Sequence, residues 1–168
     1  MLIALCVVPP AQAADDVSPS AQKVAGLFGD LVGVTAEGGG NDVWVLDVYA
    51  RIFRVVCSER ELQQFDDVLT RAGEVTKLEG MTRDADGKLT PEDRTAYLTE
   101  ARRQGLNALA PRLLEVQTAF VSFLATLDNQ AHPTKPTPEQ LDQFVDYLKK
   151  ELPAIRRQVQ QKLSGQGK

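Results

Sequence analysis

The chain has 168 residues, 43% hydrophobic and 25% charged, with 19 Lys and Arg against 23 Asp and Glu for a formal charge of −4. That composition excludes a disordered or collagen-like chain, and the length suits one domain. Without clustered Lys and Arg there is no footprint for nucleic acid, whose phosphates must be neutralised by such clusters.

The first residues speak to compartment. An apolar run from Leu2 to Val8 is followed by Pro9-Pro10, Ala11-Gln12-Ala13-Ala14 and Asp15-Asp16. An apolar segment ending in small-x-small is the pattern a signal peptidase reads, so residues 1–13 are expected to be a secretory signal cleaved after Ala13. No Lys or Arg precedes Lys23, and the positive leader of such a signal is expected upstream of Met1. The run falls far short of the roughly 20 residues that span a bilayer. The expected product is a single helical domain over 14–163 with a frayed polar tail at 164–168. It is expected to be periplasmic or secreted, with no transmembrane segment in the mature chain. Cys6 leaves with the signal, which makes Cys57 a lone cysteine. The Val55-Val56 pair before it favours burial over pairing between chains.

Ser18-Pro19 opens the first predicted helix, 18–34, with Val24, Leu27, Phe28 and Leu31 on one face and Gly26, Gly29 and Gly33 weakening it. A hydroxyl residue before proline is an N-cap followed by a position where a missing N–H costs nothing. After Gly38-Gly39-Gly40, the segment 43–56 is rich in β-branched residues. Its polar positions Asp47, Arg51, Arg54 and Ser58 are spaced four, three and four, which is one helical stripe and not strand alternation. Its wide apolar surface predicts the central helix. Ser58-Glu59-Arg60-Glu61 reads as a capping box opening a helix to about Leu78. Thr90-Pro91-Glu92-Asp93 opens another to about Ala110, where Pro111 forces a kink or break.

The next helix carries Leu113, Leu114, Val116, Phe120, Val121, Phe123, Leu124 and Leu127, and 128–135 is a polar connector. Thr137-Pro138-Glu139-Gln140 opens the last helix, whose seam runs Leu141, Phe144, Val145, Leu148, Leu152, Ile155, Val159 and Leu163, with a bend expected at Pro153. The fold class that follows is all-α, an antiparallel helical bundle of five or six helices.

One loop invites chemistry. Residues 82–93, Thr-Arg-Asp-Ala-Asp-Gly-Lys-Leu-Thr-Pro-Glu-Asp, lie between two predicted helices and resemble the calcium loop of EF-hand proteins. The resemblance implies Asp84, Asp86 and Asp93 as side-chain ligands, with Thr82, Lys88 and Thr90 as further loop ligands. Gly87 falls at the sharp turn and Leu89 at the apolar eighth position. Thr82 stands where such loops carry Asp, and Asp93 where they carry a longer carboxylate, so affinity is expected near the weak end, about 10⁻⁴–10⁻³ M. The same residues also read as an Asp-Gly turn ahead of a capped helix.

No other segment has the pattern of a catalytic site. His132 is the sole histidine, set in the polar connector. There is no nucleophile elbow and no phosphate-binding loop. Glu59/Glu61, Asp66/Asp67, Arg102-Arg103 and Arg156-Arg157 read as surface charge. Trp44, Phe53, Phe65, Phe120, Phe123 and Phe144 read as core, with a small ligand cavity as the alternative. The expected protein is an exported, non-catalytic helical bundle that contacts an unidentified envelope or secreted protein. The alternative is a weak calcium-binding module, and no cofactor other than that Ca²⁺ is expected.

Overall fold

The computed structural model describes residues 17–34, 40–127 and 137–165. The segment 1–13 and His132 lie outside them. Six helices form the described fold: α1 (Pro19–Val32), α2 (Gly40–Val56), α3 (Glu59–Leu78), α4 (Pro91–Arg103), α5 (Ala110–Thr126) and α6 (Pro138–Gly165), with a 3₁₀ turn at Leu106–Leu109.

The helix starts follow local chemistry. Ser18 accepts from the Ala21 amide at 3.2 Å, and the Thr137 hydroxyl accepts from Gln140 at 3.3 Å. Ser58 and Glu61 close a reciprocal capping box, each side chain satisfying a backbone N–H that the helix itself cannot. The segment 43–56 is helical, as its polar stripe requires: Asp47 and Arg54 are exposed while Val48, Phe53 and Val56 are buried.

The break before α5 comes earlier than the sequence suggests. The helix expected to reach Ala110 stops at Arg103 because Gly105 takes φ 105, a conformation that L side chains rarely adopt. Leu106 and Leu109 are then buried by the 3₁₀ turn. Pro111 lies within the first turn of α5, where its missing N–H leaves no bond unmade. In α6 the helix runs through Pro153, which is exposed, and continues to Gly165, two residues beyond the expected domain end.

The antiparallel bundle has α2 at its middle, touching α1, α6, α5 and α3. Leu62, Phe65, Leu69 and Ala72 of α3 form a core stripe, as do Phe144, Val145, Leu148, Leu152, Ile155 and Val159 of α6. Gly29 lets α1 and α2 meet closely: a Cβ there would lie 2.5 Å from the Leu46 side chain and 2.6 Å from the Val34 carbonyl oxygen. The glycines that weaken α1 as an isolated helix thus include one that its packing needs.

Candidate functional site

The loop 82–93 bridges α3 and α4 as a helix–loop–helix, with Arg83 and Leu89 paired as an antiparallel bridge. Asp84 Oδ1 accepts from the Asp86 amide at 3.0 Å and the Lys88 amide at 2.9 Å, an Asx turn that Gly87 completes at φ 75. Arg83 donates to the Gly87 carbonyl at 2.6 Å and pairs with Asp30 of α1 at 3.4 Å. Leu89 is buried.

Asp93 faces a different set of donors. Its Oδ2 accepts from the Thr82 amide at 2.9 Å, the Thr82 hydroxyl at 2.8 Å and the Thr90 hydroxyl at 2.6 Å. The Thr90 hydroxyl bond, then those from Thr82, hold its carboxyl below the usual carboxylate range. The two departures from a calcium loop therefore answer each other: the first and twelfth positions are tied directly by hydrogen bonds. Asp84 and Asp86 share the turn, while Thr90 caps α4 by accepting from the Asp93 amide at 3.3 Å and donating to the Asp93 carboxylate. Among the described residues, no three His, Cys, Asp or Glu side chains gather into a group that could hold a metal ion.

A second cluster is one the sequence conceals. Glu115 of α5 is 3% exposed. It accepts from Arg112 Nη1 at 2.5 Å and Arg156 Nε at 3.2 Å. Arg112 also forks onto Glu61 Oε1, at 3.1 Å from Nε and 2.8 Å from Nη2, while the other Glu61 oxygen serves the Ser58 cap at 2.8 Å. Arg156 donates to the Val56 carbonyl at the C-terminus of α2, where a cation also meets the negative end of the helix dipole. Glu61 and Arg156 are thus not the solvated surface charges that their sequence context suggests. They join α3, α5, α6 and the end of α2 through one network.

Cys57 lies beside this network and is buried. Its thiol is pushed up to about 12, first by burial and then by the Glu61 carboxylate. A thiol so raised is not a nucleophile at neutral pH. The carboxylates and guanidinium groups pair with one another, and the cluster binds α3, α5 and α6 together.

The third feature is a groove of about 240 Å³ between α1, α2 and α5, lined by Phe28, Tyr49, Ile52, Phe53, Leu113, Val116, Gln117 and Phe120. Phe28 meets Tyr49 and Phe53 edge-on at centroid distances of 5.5 and 5.3 Å. Of the aromatics expected to be core or cavity, Phe53 and Phe120 border the groove. Phe65, Phe123 and Phe144 are buried in the core, and Trp44 is half-buried.

Helix α5 accounts for the opening. It is strongly apolar, yet its buried residues are Glu115, Ala119 and Phe123, and Val121 is 63% exposed. Among the described residues, the helical stretch Leu106–Thr126 alone is long and apolar enough to cross a membrane, and 22% of that stretch's apolar window is buried. The network binding Glu115 to α6, and Arg112 to α3, fixes this stretch as a bundle helix. The sequence shows α5 as apolar, but which of its faces lacks a neighbour is set by the packing of α1, α2 and α6 around it. No protein-family model, curated protein or solved structure matches this chain.

Proposed function

We propose that the protein is an exported, non-catalytic helical bundle that works through protein–protein contacts in the cell envelope, with the α1–α2–α5 groove as its contact face. The observation that carries this reading is α5, an apolar helix left open along one side next to an apolar groove. An apolar groove between helices accepts the apolar anchors of a partner. The small-x-small motif at Ala11 to Ala13 supports export. The test is capture of envelope proteins on the immobilised mature chain, compared with Val121→Asp. A partner held by the first and lost by the second is expected. Equal capture by both, or no specific capture, refutes the groove as a contact face.

A second reading is a weak calcium module. It is favoured by the helix–loop–helix frame, by Gly87 in the left-handed turn and by exposed Asp84 and Asp86. Calcium would have to compete with the Thr82 and Thr90 hydroxyls for Asp93. At tenfold over its dissociation constant the ion would stabilise the fold by about 1.4 kcal/mol. A melting temperature that rises in millimolar calcium for the wild type but not for Asp86→Ala is expected on this reading. No shift in the wild type refutes it.

A further inference from the structure

The helices sort into two groups, each continuous in sequence. Helices α1 to α4 pack on one another, and α5 packs chiefly on α6. Polar ties follow the same division. Lys23 of α1 pairs with Asp66 of α3 at 2.8 Å, and the buried Tyr97 hydroxyl of α4 donates to the Leu69 carbonyl of α3 at 2.9 Å. In the second group Glu115 of α5 holds Arg156 of α6 at 3.2 Å. Ring contacts divide in the same way. Phe28 meets Tyr49 and Phe53 within the first group, while Phe120 and Phe123 meet Phe144, and Phe123 meets Tyr147, within the second. Among the described residues, no ring pair joins one group to the other.

We infer that the α5–α6 pair opens from α1–α4 as one unit, with its joint at Gly105 and a charged latch at Glu61–Arg112 and Arg156–Val56. Units that open cooperatively are contiguous pieces of chain, often whole supersecondary motifs. One chain crossing joins the two groups, and there Gly105 has φ 105 with nothing within 4 Å of an added Cβ. The groove lies on the seam, since Phe28 and Phe53 line it from one group and Leu113 and Phe120 from the other. A boundary between units accounts for an apolar recess that a continuous close-packed core would fill. The inference does not depend on what the groove contacts.

Polar bonds cross the seam where α2 and α3 face the pair. Arg51 of α2 pairs with Asp142 of α6, whose carboxylate is 56% exposed, and such a surface pair contributes little. Arg112 forks onto Glu61 of α3 at 3.1 and 2.8 Å, and Arg156 donates to the Val56 carbonyl of α2. The Arg112 and Glu61 side chains are only 25% and 28% exposed, so their bond carries more of the closure. Cys57 sits beneath this latch. The charges of Glu61, of Arg112 and Glu115 on α5, and of Arg156 on α6 all act on its thiol, and it is buried. Access of a reagent to Cys57 therefore reports the latch.

Two measurements test this on the full chain carrying Cys6→Ser, which leaves Cys57 as the sole thiol. The first is the rate at which an aromatic disulfide reagent labels Cys57 at urea concentrations below the unfolding transition. Labelling is expected to proceed through an opening whose urea dependence is about half that of global unfolding, or less. Glu61→Gln keeps the Ser58 cap, because Gln also closes a capping box, and is expected to label at least about tenfold faster. Asp66→Asn cuts the Lys23 tie inside α1–α4 and is expected to stay within about threefold. The second measurement is hydrogen exchange followed by mass spectrometry. In Glu61→Gln, α5 and α6 are expected to lose protection together while α1 and α3 keep theirs. Labelling with the full urea dependence of global unfolding overturns the inference, as does equal acceleration by Asp66→Asn. Exchange that rises evenly over all the helices, or in α5 without α6, overturns it as well.

Discussion

Replacing Glu115 with glutamine keeps the shape of the side chain and removes the one buried charge that α5 shares with α6. Glu115 holds Arg112 at 2.5 Å and Arg156 at 3.2 Å. In the variant Arg112 retains Glu61 at 2.8 Å, but Arg156 keeps only the Val56 carbonyl among its described partners. Breaking a buried ion pair costs about 3–5 kcal/mol. Arg112 and Arg156 retain 25% and 36% side-chain exposure, so water recovers part of this, and a loss of about 2–3 kcal/mol is expected. For a domain of this length that lowers the melting temperature by about 4–10 °C.

Thermal and urea unfolding of the full chain, followed by circular dichroism, measure the loss. Glu74→Gln on the exposed face of α3 serves as control and is expected to stay within about 0.5 kcal/mol. A double-mutant cycle with Arg156→Met isolates the pair, with a coupling above about 1 kcal/mol expected. If Glu115→Gln melts with the control, or the coupling vanishes, the network does not tie α5 to α6 and the argument fails.

Gly105→Ala is expected to cost about 1–2 kcal/mol through backbone strain alone, since φ is 105 and nothing lies within 4 Å of the added Cβ; an unchanged urea midpoint contradicts this. Asp93 is held low by the Thr90 and Thr82 hydroxyls. For Glu61, burial pushes upward but is outweighed by the Ser58 and Arg112 hydrogen bonds, so both carboxyls bind protons less readily folded than unfolded. Their stabilisation is complete above the unfolded values, about 4, and is lost as pH falls through the lowered folded values. The melting temperature should drop on acidification below that range, less steeply in Asp93→Asn, and a rise would refute the assignment. Cys57, with its thiol raised to about 12, should resist a thiol reagent at neutral pH in the native protein and react fully in denaturant; rapid native labelling would show that it is not buried.

The sequence determined what depends on near neighbours along the chain. The caps at Ser18, Ser58, Thr90 and Thr137, the polar stripe that makes 43–56 a helix, and the core seams of α3 and α6 all rest on interactions within a few residues, and the periodicities carry them. The Asp-Gly turn was legible for the same reason. What only the tertiary structure decided depends on residues distant in sequence. Glu115 looks like any helical glutamate until Arg156, 41 residues away, is folded against it, and Glu61 is a cap in sequence but also an ion-pair partner 51 residues from Arg112. The stop at Gly105 rather than Pro111 reflects the burial of Leu106 and Leu109 by a turn that local propensity does not specify. The open groove is the extreme case: hydrophobic pattern says which residues avoid water, while which of them lack a neighbour is fixed only when α1, α2 and α5 take their places.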